Sequence, residues 1–365
     1  MKLNHILFAI YVIVFPFYFF ERGNPQIADI FGVIIIILNI KDIFLQIRSS
    51  NFTKLLFLFI AYTLIVNAVW MAIIGEIKLI KSSFYYVYSF FMMLSFYVNI
   101  KDKKFLNTLV YALSISLMIQ LLLWPFIKNQ GVRTMMFFKN PNQLSFWAFS
   151  MLIISYMVQR LSSTKTYFLY LTLLLSTFFV FISASKSGIA ASVIFWIFFL
   201  IKTRKQVIVF AGISVIGISF LLATNKIDFS NINFVNNVVD RVSEKKVSGI
   251  EDLNDRGYDR ITNFPQYLFV GAGEGKYDRF NYRIELHSTL FNIFFSYGTV
   301  GLLLFGFALY EIIKKSPTSS KVLLGVLILY TLAHMTLRSP LFWISLLLIY
   351  NLKESTNSNT ALENE

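Results

Sequence analysis

Long apolar runs dominate this sequence and constrain its fold more than any other feature. Twelve such runs, separated by polar connectors, follow one another from the N-terminus to residue 352. An apolar helix of roughly 20 residues crosses the hydrocarbon core of a bilayer, and flanking residues extend the shorter runs. The pattern predicts an all-α polytopic membrane protein with about 12 transmembrane helices. The predicted spans are 5–20, 27–40, 55–74, 79–100, 105–127, 142–158, 166–182, 187–201, 206–223, 287–310, 318–335 and 340–352.

The composition agrees with a chain in lipid and excludes several kinds of chemistry. Hydrophobic residues make up 56% of the 365 residues and charged residues only 14%, too little charge to cover a soluble protein of this length. There is no Cys, so disulfides, thiol nucleophiles and Cys-based metal sites are excluded. The basic residues behind the net charge of +14 lie between the apolar runs. This position indicates a role in membrane topology and in contact with anionic lipid, and not a nucleic-acid partner.

The distribution of basic residues predicts the orientation of the chain. The first run lacks a small-residue cleavage site, so we expect it to remain as an uncleaved span. The connectors between the spans fall into two alternating sets, one with fourteen Lys and Arg and the other with eight. The set with more basic residues is expected in the cytoplasm, together with both termini. The long segment 225–286, between spans 9 and 10, is then a periplasmic loop, and loops of this length are typically functional. The polar tail 354–365, after a single membrane domain at 1–353, is predicted to be disordered and cytoplasmic.

The most informative polar segment ends this loop. A glycine-rich turn at 271–275 precedes His287 at the outer edge of the tenth span. Gly298 and Gly301 thin that helix, which lets a neighbour or a lipid approach closely. The turn does not predict a nucleotide site, because it has no βαβ context and Lys276 is followed by Tyr rather than Ser or Thr. Taken alone, His287 is better explained as an interfacial polar residue than as a catalytic one.

Four basic residues are predicted on the same outer face: Arg133, Lys186, Arg256 and Arg260. Each is explained singly by snorkelling, headgroup contact or a surface ion pair. Together they could neutralise the negative charge that develops on a phosphate leaving group, with Arg as a bidentate hydrogen-bond donor and Lys as a point charge. The imidazole of His287 has a suitable pKa to accept the proton of an attacking hydroxyl. The set would suffice for glycosyl transfer from a lipid diphosphate without a metal.

The order of these motifs resembles the O-antigen polymerase and O-antigen ligase superfamily of bacterial inner-membrane glycosyltransferases. The landmarks are an Arg followed by Asn-Pro-Asn (133–142), a Ser-Arg-Gly-like turn (183–188), an Arg ahead of Gly-x-Gly, and a His followed by Gly-x-x-Gly. Asn140 and Pro141 also form a favourable N-cap and first helical turn. The resemblance implies a GT-C-type membrane-embedded fold that uses undecaprenyl-diphosphate-linked sugars, with no metal and no other cofactor.

Carried over residue by residue, the resemblance implies specific roles. His287 looks like the catalytic base of the family. Arg256 looks like its diphosphate-binding loop arginine, with Arg260 as a rival for that role. Lys186 occupies the place of the turn arginine and keeps the charge but not the bidentate fork. Arg133 matches the first arginine.

The implied function is that of an O-antigen polymerase in lipopolysaccharide biosynthesis. Such an enzyme moves a growing glycan from undecaprenyl diphosphate to another lipid-linked repeat unit, on the periplasmic face of the Gram-negative inner membrane. A ligase, with lipid A-core as acceptor, shares the motifs; the small size and the richness in Phe, Ile, Asn and Lys favour the polymerase. A flippase or other transporter is the alternative of another class, disfavoured because the polar residues crowd one face rather than the middle of the membrane. Expected partners are the lipid-linked oligosaccharide, membrane lipid and a chain-length-regulating co-polymerase, and no nucleic acid.

Overall fold

A computed structural model describes residues 2–21, 24–127, 133–162, 164–203, 256–282 and 285–352. Every regular element in these ranges is a helix, and they contain no strand. The predicted span 206–223, the first part of the predicted loop (225–255) and the tail 354–365 lie outside the described residues. The α-helices are α1 (Leu3–Val14), α2 (Ile27–Ile47), α3 (Asn51–Ile74), α4 (Lys78–Asn99), α5 (Lys103–Leu123), α6 (Pro141–Leu161), α7 (Thr166–Ile182), α8 (Lys186–Lys202), α9 (Arg260–Asn263), α10 (Thr289–Lys315), α11 (Thr318–Thr331) and α12 (Pro340–Asn351).

The described helices follow the apolar runs of the sequence. Eleven of the twelve predicted runs coincide with α1 to α8 and α10 to α12, which confirms the helical character of those runs. Five helices are long and apolar enough to cross a membrane: α2, α3, α5 with its continuation to Phe126, α6 and α10. Helices α1, α7, α11 and α12 are apolar but shorter. The described chain is therefore a helical bundle with several helices that could span a membrane.

The outer surface of the helix bundle is apolar. Helices α6 and α12 are central, and Trp147 and Trp343 on them are fully buried. Helices α2 and α3 lie at the outside and present large apolar side chains outward, with Ile37 63% and Ile65 61% exposed. A surface with contiguous apolar patches of this kind suits lipid and not water.

A break in α10 receives the glycine-rich turn. Gly298 has φ 65° and ψ −169°, so the helical hydrogen-bond pattern is interrupted there. The carbonyls of Phe295 and Ser296, just before the break, accept hydrogen bonds from the backbone N–H groups of Ala272 (3.0 Å) and Gly273 (2.8 Å). The neighbour that approaches this helix is therefore the glycine-rich turn itself, fixed against the bundle by main-chain bonds.

Candidate functional site

A cavity of about 560 Å³ lies at one end of the bundle. Its wall is formed by the end of α1, the starts of α2, α4 and α6, and the segments that precede α10 and α12. The connector between α3 and α4 meets the glycine-rich segment at this end, where Lys276 pairs with Glu76. The connectors before α6 and α8 also meet there, since the N–H of Thr134 donates to the carbonyl of Ile182 at 3.1 Å.

A buried carboxylate from the glycine-rich turn organises one side of the cavity. Glu274 is fully buried and accepts hydrogen bonds from the hydroxyls of Tyr86 and Tyr297, the latter at 2.9 Å. Its other oxygen accepts from the guanidinium of Arg338, while its own N–H donates to the amide oxygen of Asn67 at 2.8 Å. Its carboxylate thus joins α4 and α10 to the connector before α12, and its backbone N–H adds α3. A charge buried in this way is stable because several donors and an opposite charge surround it.

Arg338 brings a permanent positive charge to the cavity wall. Its side chain is 34% exposed, and Nη2 lies 2.8 Å from Oε2 of Glu285. Both side chains line the cavity, and among the described residues Arg338 is its only Lys or Arg. The guanidinium therefore bridges a structural carboxylate, Glu274, and a second carboxylate that faces the open space.

His287 lines the same cavity, immediately before α10. It is exposed, and its backbone N–H donates to the carbonyl of Arg256 at 3.4 Å. Partial burial lowers the pKa of His287, the Glu285 carboxylate raises it, and the charges of Arg256 and Arg260 lower it further. The net effect is a pKa below the ordinary value, so the imidazole is neutral at pH 7 and can accept a proton.

A second imidazole, His334, lines the cavity between α11 and α12. Its Nε2 lies 2.6 Å from Oγ of Ser187, and its carbonyl accepts a hydrogen bond from the hydroxyl of Thr289 at 2.8 Å. These contacts tie the connector before α12 to the starts of α8 and α10. The side chain is thereby fixed at the cavity wall.

The electrostatic surroundings of His334 show which predicted residues come together. Burial, followed by the charges of His287, Arg256 and Arg133, lowers the pKa of His334 to about 4. His287 lines the same cavity as His334, and the carbonyl of Arg256 accepts the backbone N–H of His287. These two predicted residues therefore lie close together, while the common outer site stays a prediction.

Arg133 and Lys186 lie beside this group without lining the cavity. Arg133 donates from Nε to the carbonyl of Ser183 at 3.0 Å and from Nη2 to the amide oxygen of Asn142 at 2.6 Å. It thus joins the connectors that precede α6 and α8. Lys186 is the first residue of α8 and is exposed, next in sequence to the serine that contacts His334.

Arg260 is placed differently from the other predicted cations. It is fully buried, and its guanidinium lies 4.2 Å from the ring centre of Tyr282 and 5.3 Å from that of Tyr277. Tyr277 lines the cavity, whereas Arg260 does not. Arg260 therefore supports the cavity wall by cation–π packing. Arg256 does not line the cavity either, although its charge lowers the pKa of both histidines.

Amide side chains at the start of α6 line another part of the cavity: Asn140, Asn142 and Gln143. Each uses its carbonyl oxygen within the fold. The oxygen of Asn140 accepts from the N–H of Gln143 at 2.8 Å, that of Asn142 from Arg133, and that of Gln143 from the N–H of Lys139 at 3.1 Å. Within the described part of the chain, none of the three amide nitrogens donates to another protein atom. The row therefore offers hydrogen-bond donors to the cavity.

Sequence reasoning found one imidazole and missed several partners in the cavity. His334 falls inside the predicted span 318–335, and Arg338 falls in the short break between that span and the last one. Glu274 belongs to the glycine-rich turn at 271–275, and neither Glu274 nor Glu285 is predicted as a site residue. The signal that was available for Arg338 and His334 is their position beside this break, where a polar connector must return to the bundle end. Among the described residues no group of three or more His and carboxylate side chains is arranged to hold a metal ion.

Comparison with known proteins does not assign the chain to a family. No protein-family model matches the sequence, and no curated protein matches it significantly.

Proposed function

We propose that this protein is an integral membrane glycosyltransferase of the O-antigen polymerase type, which uses undecaprenyl-diphosphate-linked oligosaccharide as donor and as acceptor. The observation that carries the proposal is the cavity in which His287, His334 and Arg338 meet at one end of an apolar helix bundle. Such a site combines a proton acceptor with a cation for a leaving group.

The reaction divides between the two kinds of side chain. A hydroxyl of the acceptor sugar attacks C1 of the donor sugar, and His287 takes up the hydroxyl proton as the new C1–O bond forms. The bond between C1 and the diphosphate oxygen breaks, and its electron pair stays on that oxygen. Arg338 offsets the negative charge there, with Arg256 and Arg133 as further cations close to the imidazoles.

The apolar exterior supports a lipid-linked substrate. The outward-facing side chains of α2 and α3 would lie in hydrocarbon, and an isoprenoid chain could rest along such a surface while its headgroup enters the cavity. The positive-inside distribution of Lys and Arg favours an inner-membrane location with the cavity on the periplasmic face. The proposal includes a GT-C-type fold of about 12 spans, and the five described helices that are long and apolar enough to cross a membrane support its membrane character.

Deletion of the gene, followed by a gel of surface lipopolysaccharide, tests the proposal. Loss of a polymerase should leave core carrying a single repeat unit. Bare core with polymer accumulating on the lipid carrier would instead indicate the ligase, and an unchanged ladder would reject both enzymes.

A point variant tests the site. His287→Ala should reach normal membrane levels, because the side chain is exposed, and should abolish chain extension. The matched control is His5→Gln. His5 lies near the start of α1, beside Asp102 in the connector before α5, and does not line the cavity. The control should retain the ladder. A near-normal ladder in His287→Ala would remove this residue from the mechanism.

A further inference from the structure

The cavity lining includes a second set of polar side chains, the amide half, whose chemistry differs from that of the histidines and Arg338. It consists of Asn140, Asn142 and Gln143 from the start of α6 and Asp29 from the start of α2. Aromatic side chains complete this half, among them Tyr18, Phe138 and Trp147. Arg133 lies directly behind Asn142, to which it donates at 2.6 Å, but it does not line the cavity, and among the described residues the only lining Lys or Arg is Arg338.

The amides are held in place by their oxygens, so their donor groups are pre-organised. The three oxygens accept hydrogen bonds at 2.6–3.1 Å from neighbouring groups, and this fixes the orientation of each amide plane. The N–H groups are then the atoms left to meet a ligand. Donors that are fixed before binding cost little conformational entropy on binding.

Asp29 supplies the complementary acceptor. One of its oxygens accepts the N–H of Gln26 at 2.7 Å as part of a capping box, which fixes the carboxylate at the start of α2. A carboxylate accepts from hydroxyl donors and repels a second anion. Fixed donors, a fixed acceptor and aromatic rings match a ring-shaped ligand with hydroxyl groups on its edge and C–H groups on its faces.

We infer that this half of the cavity is the binding subsite for the acceptor sugar, and that it selects a neutral sugar over an acidic one. The acceptor role rests on the proposed function; the binding of a neutral sugar does not. Asn142 and Gln143 donate to ring, hydroxyl or acetamido oxygens, and Asp29 accepts from a hydroxyl. The diphosphate of the donor is assigned to Arg338, which lines the same cavity.

The test uses the full-length protein in nanodiscs, because sugar-based detergents would compete. Binding is measured by saturation-transfer NMR with methyl glycosides of neutral hexoses and N-acetylhexosamines, and with methyl glucuronide as the acidic probe. The wild type should bind at least one neutral glycoside and bind the glucuronide more weakly. Absence of binding by every neutral probe, or equal binding of the glucuronide, would overturn the inference.

Two double variants remove the donors in different ways. Asn142→Asp with Gln143→Glu keeps the oxygens that the fold uses and deletes the N–H groups. Asn142→Leu with Gln143→Met deletes both kinds of atom. Both should weaken neutral-sugar binding about tenfold, as expected for two lost hydrogen bonds. A change of less than threefold in either would contradict the inference.

Further variants control for charge and test selectivity. Gln46→Glu adds a negative charge near the other end of α2 and should leave sugar binding unchanged. A comparable loss of binding in this variant would show that the effect is not local and would overturn the inference.

Asp29→Asn keeps the oxygen that accepts the N–H of Gln26 and should strengthen binding of the glucuronide. Unchanged discrimination between neutral and acidic glycosides would overturn the role of Asp29.

A second probe separates this inference from the proposed function. Binding of inorganic pyrophosphate, measured by calorimetry, should persist in Asn142→Leu with Gln143→Met and fall in Arg338→Gln. Loss of both ligands in the amide variant would indicate general damage and would overturn the inference. If the wild type binds neutral sugar but not pyrophosphate, the proposed use of a diphosphate donor fails while the sugar subsite stands.

Discussion

The carboxylate of Glu285 lies 2.8 Å from Nη2 of Arg338, so the arginine that lines the cavity is already paired with an anion that faces the open space. On its other side the same guanidinium contacts the buried Glu274. The two carboxylates differ in burial: Glu274 is fully buried and Glu285 is 28% exposed. Glu274 therefore holds Arg338 in place, and Glu285 is the partner that an anionic ligand would compete with.

Glu285→Gln is expected to strengthen binding of inorganic pyrophosphate by about tenfold at low ionic strength, because it removes a competing negative charge beside Arg338. The gain should shrink as salt is raised, since the site is partly exposed. Calorimetry on the nanodisc-embedded protein checks both effects. Glu311→Gln, beside Lys315 near the far end of α10, is the control and should leave the affinity unchanged. Equal or weaker binding by Glu285→Gln would contradict the competition.

Acidification is expected to destabilise the protein through His334. Burial lowers the pKa of His334 to about 4 in the fold, whereas an unfolded histidine has a pKa of about 6.5. The unfolded chain takes up the proton first, so the contribution to stability is fully present above about pH 6.5 and is lost as the pH falls toward 4. The loss amounts to at most about 3 kcal/mol. Melting temperatures between pH 7 and pH 4 should fall less steeply in His334→Gln than in the wild type; parallel curves would refute the assignment.

Glu274→Gln is expected to lower the free energy of unfolding by about 3 kcal/mol, because it removes the buried negative charge that pairs with Arg338. The same carboxylate also accepts hydrogen bonds from two tyrosine hydroxyls. Tyr86→Phe is the milder comparison and should cost about 1 kcal/mol, since it deletes one hydrogen bond and keeps the ion pair. Thermal unfolding of both variants, compared with the wild type, measures the difference. A Glu274→Gln protein as stable as Tyr86→Phe would show that the charge contributes little.

Gly298→Ala is expected to destabilise the junction between α10 and the glycine-rich turn by several kcal/mol. The backbone there has φ 65° and ψ −169°, a conformation that only glycine adopts without strain. A Cβ would also lie 2.2 Å from the carbonyl oxygen of Phe269. Gly306→Ala is the control in the same helix, since its Cβ would meet nothing within 4 Å, and it should be neutral or slightly stabilising. Similar melting temperatures for the two variants would contradict this account.

The positions of most helices could be predicted from the sequence because they depend on local properties. Apolar content marks the runs, and side-chain caps mark several starts, as when Asn140 accepts the N–H of Gln143 before α6. The first run is the clearest departure, since α1 ends at Val14 and not at residue 20. Pro16 cannot donate the hydrogen bond that would continue a helix, and the segment after Val14 brings Phe15 and Tyr18 to the cavity.

An apolar helical bundle and the candidate residue His287 follow from local sequence, because a polar residue at the edge of an apolar run is visible without knowledge of the fold. The residues that share the cavity with His287 depend on long-range packing. Glu274 and Arg338 are 64 residues apart, and Ser187 and His334 are 147 apart. Such pairs form when packing brings distant connectors to the same end of the bundle, and no local pattern of hydrophobicity encodes which connectors meet.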